Sequence, residues 1–244
     1  MFKLIEAILA GKIKTQPVKN EGAENFRGEL ALQPQACVQC HKCAEVCPTG
    51  AITTENVENL PEIDYKRCLF CGMCVEICQE EALQHTRRDP AHIFCGENST
   101  AMSALINKRI GRSLAIRHLD AGSCNACDFE MGALSNPIYD LQHYGMNFVA
   151  SPRHADLLMV TGVVTRNLEQ ALIMSYEAMP EPKLVMAVGT CAISGGVFRE
   201  NYTTVGALEK VLPVVIALPG CPPRPAAMLL ALAAAADIYA TKKK

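Results

Sequence analysis

The sequence predicts a small α+β unit followed by an α/β domain built on a doubly wound parallel sheet. Two observations lead to this prediction. A cysteine-rich run occurs twice in the first third of the chain, and short aliphatic segments then alternate with helical patterns. Strands that alternate with helices are typical of a parallel sheet covered on both faces. Strands buried in this way are continuous apolar runs, as the aliphatic segments are here.

These patterns divide the chain into four segments. We expect an amphipathic helix with its connector over residues 1–20, the cysteine-rich domain over 21–90, a linker over 91–111 and the α/β domain over 112–244. In the α/β domain the strands are expected at Ser113–Leu119, Met146–Ala150, Leu157–Thr161, Leu184–Val188 and Val214–Leu218, and the helices at Leu168–Ala178 and Pro222–Ala236.

Residues 1–15 place apolar side chains at helical spacing, with lysines elsewhere. The apolar face either packs on the neighbouring domain or docks against a membrane subunit or the bilayer surface. The sequence does not separate these alternatives.

Composition narrows the class of protein. The 244 residues include 23 basic and 25 acidic ones, so no global field favours nucleic acid. No secretory signal is visible in Met1–Lys14, and thirteen cysteines in a chain that is not exported favour metal or redox ligation over disulfides. No run reaches the ~18 apolar residues of a spanning helix, the nearest being Ala226–Ala236. We therefore expect a cytoplasmic chain that does not cross a membrane.

The repeated run has the spacing C-x2-C-x2-C-x3-C, first over Cys37–Pro48 and again over Cys68–Gln79. In such a repeat, three thiolates hold one four-iron cube and the fourth ligates the other cube. Zinc would need C-x2-C pairs separated by a longer loop, with four ligands for one ion. The spacing therefore predicts a cluster 1 site on Cys37, Cys40, Cys43 and Cys78, and a cluster 2 site on Cys68, Cys71, Cys74 and Cys47.

Four later cysteines follow predicted strands: Cys124 and Cys127 follow the first, Cys191 the fourth and Cys221 the fifth. Each lies just past the carboxyl end of its strand, where open α/β sheets bind ligands. Four structural cysteines would not all fall in such loops. We therefore predict a third four-iron cluster, at a cluster 3 site formed by these four residues. Glycines in these loops let backbone N–H groups approach cluster sulfurs: Gly122, Gly189, Gly195, Gly196 and Gly220.

For several residues near the cysteines, the sequence leaves both a functional and a structural interpretation open. His41 is either a surface residue beside cluster 1 or a hydrogen-bond donor to a sulfur. Arg153 and His154 place cations that tune a cluster or bind a partner, or Arg153 pairs with a carboxylate such as Asp156. Glu130 either carries protons near cluster 3 or lies on a helix surface. Cys95, the odd thiol, is expected to be an ordinary linker residue.

Both halves resemble known families. Residues 1–88 resemble the two-cluster ferredoxin-like subunit shared by respiratory complex I and formate hydrogenlyase, through Asn25-Phe-Arg-Gly28 and Arg67-Cys-Leu-Phe-Cys-Gly-Met-Cys74. Residues 112–236 resemble the small subunit of membrane-bound, energy-converting (group 4, formate hydrogenlyase-type) [NiFe] hydrogenases. The shared motifs are Asp120-Ala-Gly-Ser-Cys-Asn-Ala-Cys127, Ser151-Pro-Arg-His-Ala-Asp156, Thr161-Gly-Val-Val-Thr165 and Leu218-Pro-Gly-Cys-Pro-Pro223.

The second half also resembles the complex I subunit whose cluster reduces quinone. That family usually has two adjacent cysteines where this chain has Cys124 and Cys127 two residues apart, and the C-x2-C spacing is the hydrogenase-like form. Relatives often have Gly in place of Ala126 and Glu in place of Asp128. Neither departure removes a ligand.

The resemblance implies a ferredoxin-like domain joined to a flavodoxin-like domain, with three [4Fe–4S] clusters and no catalytic residue on this chain. Electrons would pass between the ferredoxin-like clusters and cluster 3, next to a nickel–iron site on a separate large subunit. The implied partners are that large subunit, membrane subunits of an energy-converting complex, and a redox donor such as ferredoxin or a formate dehydrogenase subunit. The implied location is the inner face of the cell membrane, as a peripheral protein. Two alternatives stay open: a relay in a complex I-like quinone or ferredoxin oxidoreductase, and a free electron carrier.

Overall fold

The computed structural model describes residues 22, 24–55, 59–88, 94–95, 114–181 and 183–240. The amphipathic helix predicted for residues 1–15 lies outside these residues, as does most of the linker predicted for 91–111. Within the described part of the chain, no helix is both long and apolar enough to span a bilayer.

The first half consists of short strands and helices that carry the cysteine-rich repeat. Its elements are β1 (Leu30–Leu32), α1 (Lys42–Glu45), β2 (Ile52–Thr53), β3 (Glu62–Ile63), α2 (Met73–Glu76) and β4 (Leu83–His85). β1 pairs with β4 and β2 pairs with β3, both antiparallel. A small core of aliphatic side chains and cysteines lies between these elements.

The sequence repeat is also a repeat of backbone conformation. Gln39 and Phe70 hold the same place in the two copies, and both have φ of 55°. His41 and Gly72 correspond in the same way, with φ of 60° and 83°. Non-glycine residues adopt such angles only where the surrounding structure requires them. The two copies therefore place their cysteines through the same turn.

The second half is an α/β unit. Its strands are β5 (Phe94–Cys95), β6 (Leu114–Asp120), β7 (Met146–Phe148), β8 (Leu157–Thr161), β9 (Val164–Thr165), β10 (Leu184–Val188), β11 (Thr204–Gly206) and β12 (Ile216–Leu218). Its α-helices are α3 (Ala126–Gly132), α4 (Arg166–Glu177), α5 (Thr190–Ser194) and α6 (Pro225–Ala240). Short 3₁₀ helices occur at Pro34–Ala36, Ala133–Ser135, Leu141–Tyr144, Pro152–His154 and Leu208–Lys210.

One six-stranded sheet forms the centre of this half. Its order is β5-β12-β10-β8-β6-β7. Five strands are parallel, and β5 joins the edge of β12 in the antiparallel direction. β9 and β11 pair separately. The prediction of a parallel sheet that follows a cluster-binding domain is confirmed.

Helices cover both faces of the sheet. On one face, Met131 of α3 and Met228 of α6 pack against alternate strand residues such as Met186. On the other face, Leu172 of α4 and Ala192 of α5 pack against the residues between them. Burial on both sides explains why β8 and β10 are almost entirely apolar.

Most element boundaries differ from the expected ones by a few residues. β8 and β10 have the predicted bounds, whereas β7 ends at Phe148 and β12 begins at Ile216. The last helix was predicted from Pro222 but begins at Pro225. Pro222 and Pro223 lie in the loop before it, with a cis peptide between Cys221 and Pro222. The proline in the first helical turn is therefore Pro225, where its missing N–H costs no helical hydrogen bond.

Candidate iron–sulfur centres

The structure brings the four residues of the cluster 1 site around one cavity. Cys37, Cys40, Cys43 and Cys78 all line it. Burial, with a smaller contribution from the charges of Cys40 and Cys37, raises the pKa of Cys43. The cavity reaches the surface, because Cys40 is exposed and the neighbouring Val38 side chain is 63% exposed.

The cluster 2 site is a second, more enclosed cavity, lined by Cys47, Cys68, Cys71 and Cys74. Burial is the main cause that raises the pKa of Cys68 to about 11 and that of Cys74 to about 12. The charges of neighbouring thiols add to the shift of each. The fourth cysteine of this cavity, Cys47, comes from the other copy of the repeat, as the spacing predicts.

Cys47 behaves differently from its neighbours. Burial raises its pKa, but several hydrogen-bond donors together reverse that effect, and the pKa is lowered. The Ala51 backbone N–H donates to Cys47 Sγ at 3.2 Å, and Thr49 Oγ1 lies 3.7 Å from the same sulfur. Phe70 N donates similarly to Cys68 Sγ at 3.4 Å. Donors of this kind stabilise a sulfur that carries negative charge.

The cluster 3 site lies at the carboxyl edge of the parallel sheet. Cys124 and Cys127 follow β6, Cys191 follows β10 and Cys221 follows β12. Burial first, and then the charges of Cys191 and Cys221, raises the pKa of Cys127 to about 12. Burial, followed by the charges of Cys221 and Cys124, raises the pKa of Cys191 to about 11. The four thiols are thus close enough to influence one another, although three separate loops carry them.

Glycine makes the approach of these loops possible. Gly189 lies between β10 and α5, with φ of 86° and ψ of 155°. A Cβ atom at this position would stand 2.7 Å from Cys127 Sγ, and one on Gly196 would stand 3.1 Å from Cys191 Sγ. Backbone that comes so near to sulfur leaves no room for a side chain.

Four thiols at each of three sites are the donor set of a four-iron cluster. The thiolate is the metal-ligating form, so the raised pKa values mean that metal binding must displace protons from buried thiols. No three His, Cys, Asp or Glu side chains among the described residues converge on a point where one metal ion could bind. The cysteines of a four-iron cube each bind a different iron, so convergence on one point is not what such a cluster requires.

A polar network beside the cluster 3 site was not found from the sequence. His118 Nε2 lies 2.9 Å from Asp128 Oδ1 and 3.0 Å from Thr161 Oγ1. Thr161 Oγ1 donates to Asp128 Oδ1 at 2.9 Å, and Ser123 Oγ donates to Asp128 Oδ2 at 2.5 Å. The network ties β6 and β8 to the first turn of α3, which carries Cys127. It depends on the pairing of β6 with β8, which the sequence alone does not specify.

His118 gives the fold a dependence on pH. Burial lowers its pKa below the usual 6.5, although Asp128 and Asp120 act in the opposite direction. The folded chain therefore holds a neutral imidazole in a pH range where the unfolded chain binds a proton. Stability is lost as the pH falls from about 6.5 towards the folded pKa. We expect anaerobic denaturant unfolding to show a smaller loss between about pH 7.5 and about pH 6 in His118→Gln than in the unaltered chain. An equal loss in both would show that His118 does not contribute.

Three of the remaining candidates lie at the surface, and one of them, His41, lines the cluster 1 cavity. Arg153 and His154 are exposed. No ion pair joins Asp156 to Arg153, both of them described residues, and Asp156 Oδ2 instead accepts from the Ala115 backbone N–H at 3.0 Å. His41 is also exposed, and its Nδ1 lies 2.8 Å from Thr54 Oγ1.

Glu130 and Cys95 were also identified from the sequence, and both lie in regular secondary structure. Glu130 is half-buried in α3, and burial raises its pKa. Cys95 was expected in a plain linker, but the structure places it in β5, opposite Ile216 of β12. Two residues of the predicted linker thus belong to the sheet, because the edge of β12 offers them backbone hydrogen-bond partners.

The two halves of the chain meet between the cluster 2 and cluster 3 sites. Thr190 Oγ1 donates to Cys68 O at 2.8 Å, and the Arg199 guanidinium donates to Pro48 O at 3.3 Å. Burial is the main cause that raises the pKa of Cys221, and the charges of Cys124 and then of Cys71 add to the shift. On the first half, each of these contacts involves a cysteine of the cluster 2 site or the residue next to one.

A cluster-binding unit joined to a parallel-sheet domain with cysteines at its carboxyl edge defines an iron–sulfur protein of the oxidoreductase class. The chain belongs to the family described as NADH ubiquinone oxidoreductase, 20 Kd subunit, whose model matches residues 124–235. Residues 29–79 match the 4Fe-4S dicluster domain, so the chain binds iron–sulfur clusters. The resemblance inferred from the motifs is confirmed.

Three curated relatives show the range of similarity. The probable membrane-bound hydrogenase subunit mbhJ of Pyrococcus furiosus is 46% identical over 126 residues, which are 52% of this chain and 75% of the relative. Formate hydrogenlyase subunit 7 of Escherichia coli is 37% identical over 153 residues, 63% of this chain and 60% of the relative. An NADH-quinone oxidoreductase subunit of Bacteroides fragilis is 41% identical over 150 residues, 61% of this chain and 72% of the relative. All three are named as subunits of oxidoreductases.

Proposed function

We propose that this chain is an electron-transfer subunit of a membrane-associated [NiFe] hydrogenase complex. It would hold three [4Fe–4S] clusters and relay electrons between its ferredoxin-like domain and a nickel–iron site on a separate large subunit. The observation that carries the proposal is the direct contact between the loops of the cluster 2 and cluster 3 sites, made by Thr190 and Cys68. This contact supports an order of clusters 1, 2 and 3, with the chemistry completed on another chain.

The domain division supports the same interpretation. We propose a ferredoxin-like domain over 21–90 and a doubly wound, flavodoxin-like domain over 112–244, with residues 1–20 and 91–111 as helix and linker. Without β5, the strand order is β7-β6-β8-β10-β12, which is the flavodoxin-like order 2-1-3-4-5 in chain numbering. Helices on both faces support the doubly wound description. The cluster 3 site then lies where such sheets bind their ligands.

Different groups of the chain would contribute in different ways to electron transfer. The three sets of cysteines hold the clusters, which supply one-electron transfer when bound. Backbone N–H groups such as that of Ala51 stabilise sulfur charge, and burial excludes water from the cluster 2 site. The more open cluster 1 site suits exchange of electrons with a redox donor, such as ferredoxin or a formate dehydrogenase subunit.

Exposed apolar residues near the cluster 3 site support a protein partner there. Phe129, two residues after Cys127, is 79% exposed, and Val197 and Phe198 follow the helix that carries Cys191. Clustered exposed apolar side chains mark surfaces that another protein covers. We propose that the large subunit covers this surface. Membrane subunits of an energy-converting complex would hold the assembly on the cytoplasmic face of the membrane, and nothing in the charge balance favours nucleic acid.

A second candidate is a relay in a complex I-like quinone or ferredoxin oxidoreductase. It is favoured by the 41% identity to the NADH-quinone oxidoreductase subunit of Bacteroides fragilis. The C-x2-C spacing of Cys124 and Cys127 favours the hydrogenase.

Purification of the complex with its native partners tests the proposal. We expect nickel in the complex and hydrogen-dependent reduction of a dye, since the nickel–iron site lies on the large subunit. The chain alone should hold about twelve iron atoms and should not turn over hydrogen. A complex without nickel would contradict the hydrogenase assignment and favour the complex I-like relay. A native preparation in which the chain carries its clusters but no partner is bound would favour a free carrier.

A further inference from the structure

Thr190 lies where three cysteine loops meet. It is the first residue of α5, it is 1% exposed, and it directly precedes Cys191. Its backbone N–H donates to Gly220 O at 2.9 Å, next to Cys221. Its side-chain Oγ1 lies 2.8 Å from Cys68 O and 3.2 Å from Gly220 O. One side chain thus contacts both halves of the chain.

The hydroxyl has one proton, and the geometry favours Cys68 O as its acceptor. The contact to Cys68 O is the shorter one, and Gly220 O already accepts from the Thr190 backbone N–H. Cys68 is itself buried, so its carbonyl has little access to water. A buried carbonyl without a donor is costly, which favours keeping the two loops in contact.

We propose that Thr190 is a positioning residue that fixes the separation between the cluster 2 and cluster 3 sites. This inference rests on the proposed relay function. The Thr190 hydroxyl joins the backbone of a cluster 2 ligand to the helix turn that holds a cluster 3 ligand. A continuous path of covalent bonds and one hydrogen bond therefore links Cys68 Sγ to Cys191 Sγ. It passes through the Cys68 carbonyl, the Thr190 hydroxyl and the Thr190 backbone. Thr190 takes no part in the electron balance: one electron lost on one side is gained on the other, and no bond forms or breaks.

Other contacts between the halves fix the spacing less directly. The Arg199 contact to Pro48 O lies at the surface, where water competes for both groups. Arg224 stacks over the Phe26 ring at 5.0 Å, a contact that does not involve a cysteine loop of the first half. Thr190 combines burial with direct attachment to ligand residues of two sites.

The test compares Thr190→Val with Thr190→Ser in the full, cluster-loaded chain. Valine keeps the volume and removes the hydroxyl, whereas serine keeps the hydroxyl. We expect Thr190→Val to loosen the contact between the cluster 2 and cluster 3 loops, because the Cys68 carbonyl loses its donor. In the reduced chain this should appear as a loss of magnetic interaction between clusters 2 and 3 in electron paramagnetic resonance spectra. Electron transfer between them after flash reduction should slow, and Thr190→Ser should restore both readouts.

Ser175→Ala is the control. The Ser175 hydroxyl donates to Ala171 O at 2.8 Å within α4, so its removal leaves the cysteine loops and the contacts between the halves unchanged. We expect it to leave the magnetic interaction and the transfer rate unchanged.

Three other outcomes would each be decisive. Unchanged interaction and transfer rate in a fully loaded Thr190→Val chain would overturn the inference. If Thr190→Val loses iron, the Thr190→Ala variant is measured as well. Loss of cluster 3 from both variants would mean that Thr190 holds Cys191 in place, and it would overturn the proposal that Thr190 fixes the separation of the two sites. Absence of a third cluster signal in the unaltered chain would instead overturn the proposed function.

Discussion

Replacing Cys191 with alanine should lower the iron content from about twelve to about eight atoms per chain, because one of three four-iron clusters loses a ligand. Alanine is chosen because a serine oxygen can itself bind iron. The signals of clusters 1 and 2 should remain, since their cysteines lie on the other half of the chain. Iron analysis combined with electron paramagnetic resonance of the reduced chain measures both effects.

Cys95→Ser is the control for this experiment. Cys95 is the one cysteine that the spacing assigns to no cluster, and it lies in β5. Its replacement should leave the iron content near twelve atoms. An unchanged iron content and unchanged spectra in Cys191→Ala would remove Cys191 from the ligand set and leave the second half without a cluster.

Gly189→Ala should also remove cluster 3, but through the backbone rather than through a ligand. Gly189 has φ of 86° and ψ of 155°, a conformation that is close to glycine-only and costs other residues about 1–3 kcal/mol. The added Cβ would also stand 2.7 Å from Cys127 Sγ. We expect loss of about four iron atoms per chain and a lower free energy of unfolding in anaerobic denaturant titrations.

Gly132→Ala is the control for this experiment, and we expect it to keep cluster 3 and to stabilise the same domain. Gly132 ends α3 with helical backbone angles, and nothing lies within 4 Å of a Cβ at this position. Alanine should keep all the iron and stabilise the fold by about 0.5–1 kcal/mol. A Gly189→Ala chain that kept its full iron content and its stability would show that the close approach to Cys127 is not needed.

The central strands could be predicted from the sequence because burial on both faces determines their composition. β8 and β10 are buried throughout and apolar except for Thr161, so their ends show in the sequence. The ends of β12 depend on its neighbours instead. Only Ile216–Leu218 pair with β10, and the preceding residues, which are also aliphatic, fall outside the strand. The seven-residue helix α3 was missed because it is too short to show a clear helical period.

The groups of cysteines could be predicted from the sequence, whereas the contacts around them could not. The spacing of the repeat predicts the interleaved quartets locally, and each predicted group of four thiols lines a cavity of its own. The grouping of the last four cysteines required only that parallel strands end at one edge of the sheet. The contact of Thr190 with Cys68 and the bond of His118 with Asp128 could not be predicted. The first depends on how the two halves dock, and the second on the register of neighbouring strands.

The short strand β5 has a consequence for any version of this protein made as two chains. It covers the outer edge of β12, which would otherwise offer free N–H and C=O groups to a strand of another molecule. A break before Phe94 keeps this cover on the second half. A break after Cys95 removes it and leaves the strand beside the Cys221 loop open to self-association. The junction between the halves thus also protects the sheet from aggregation.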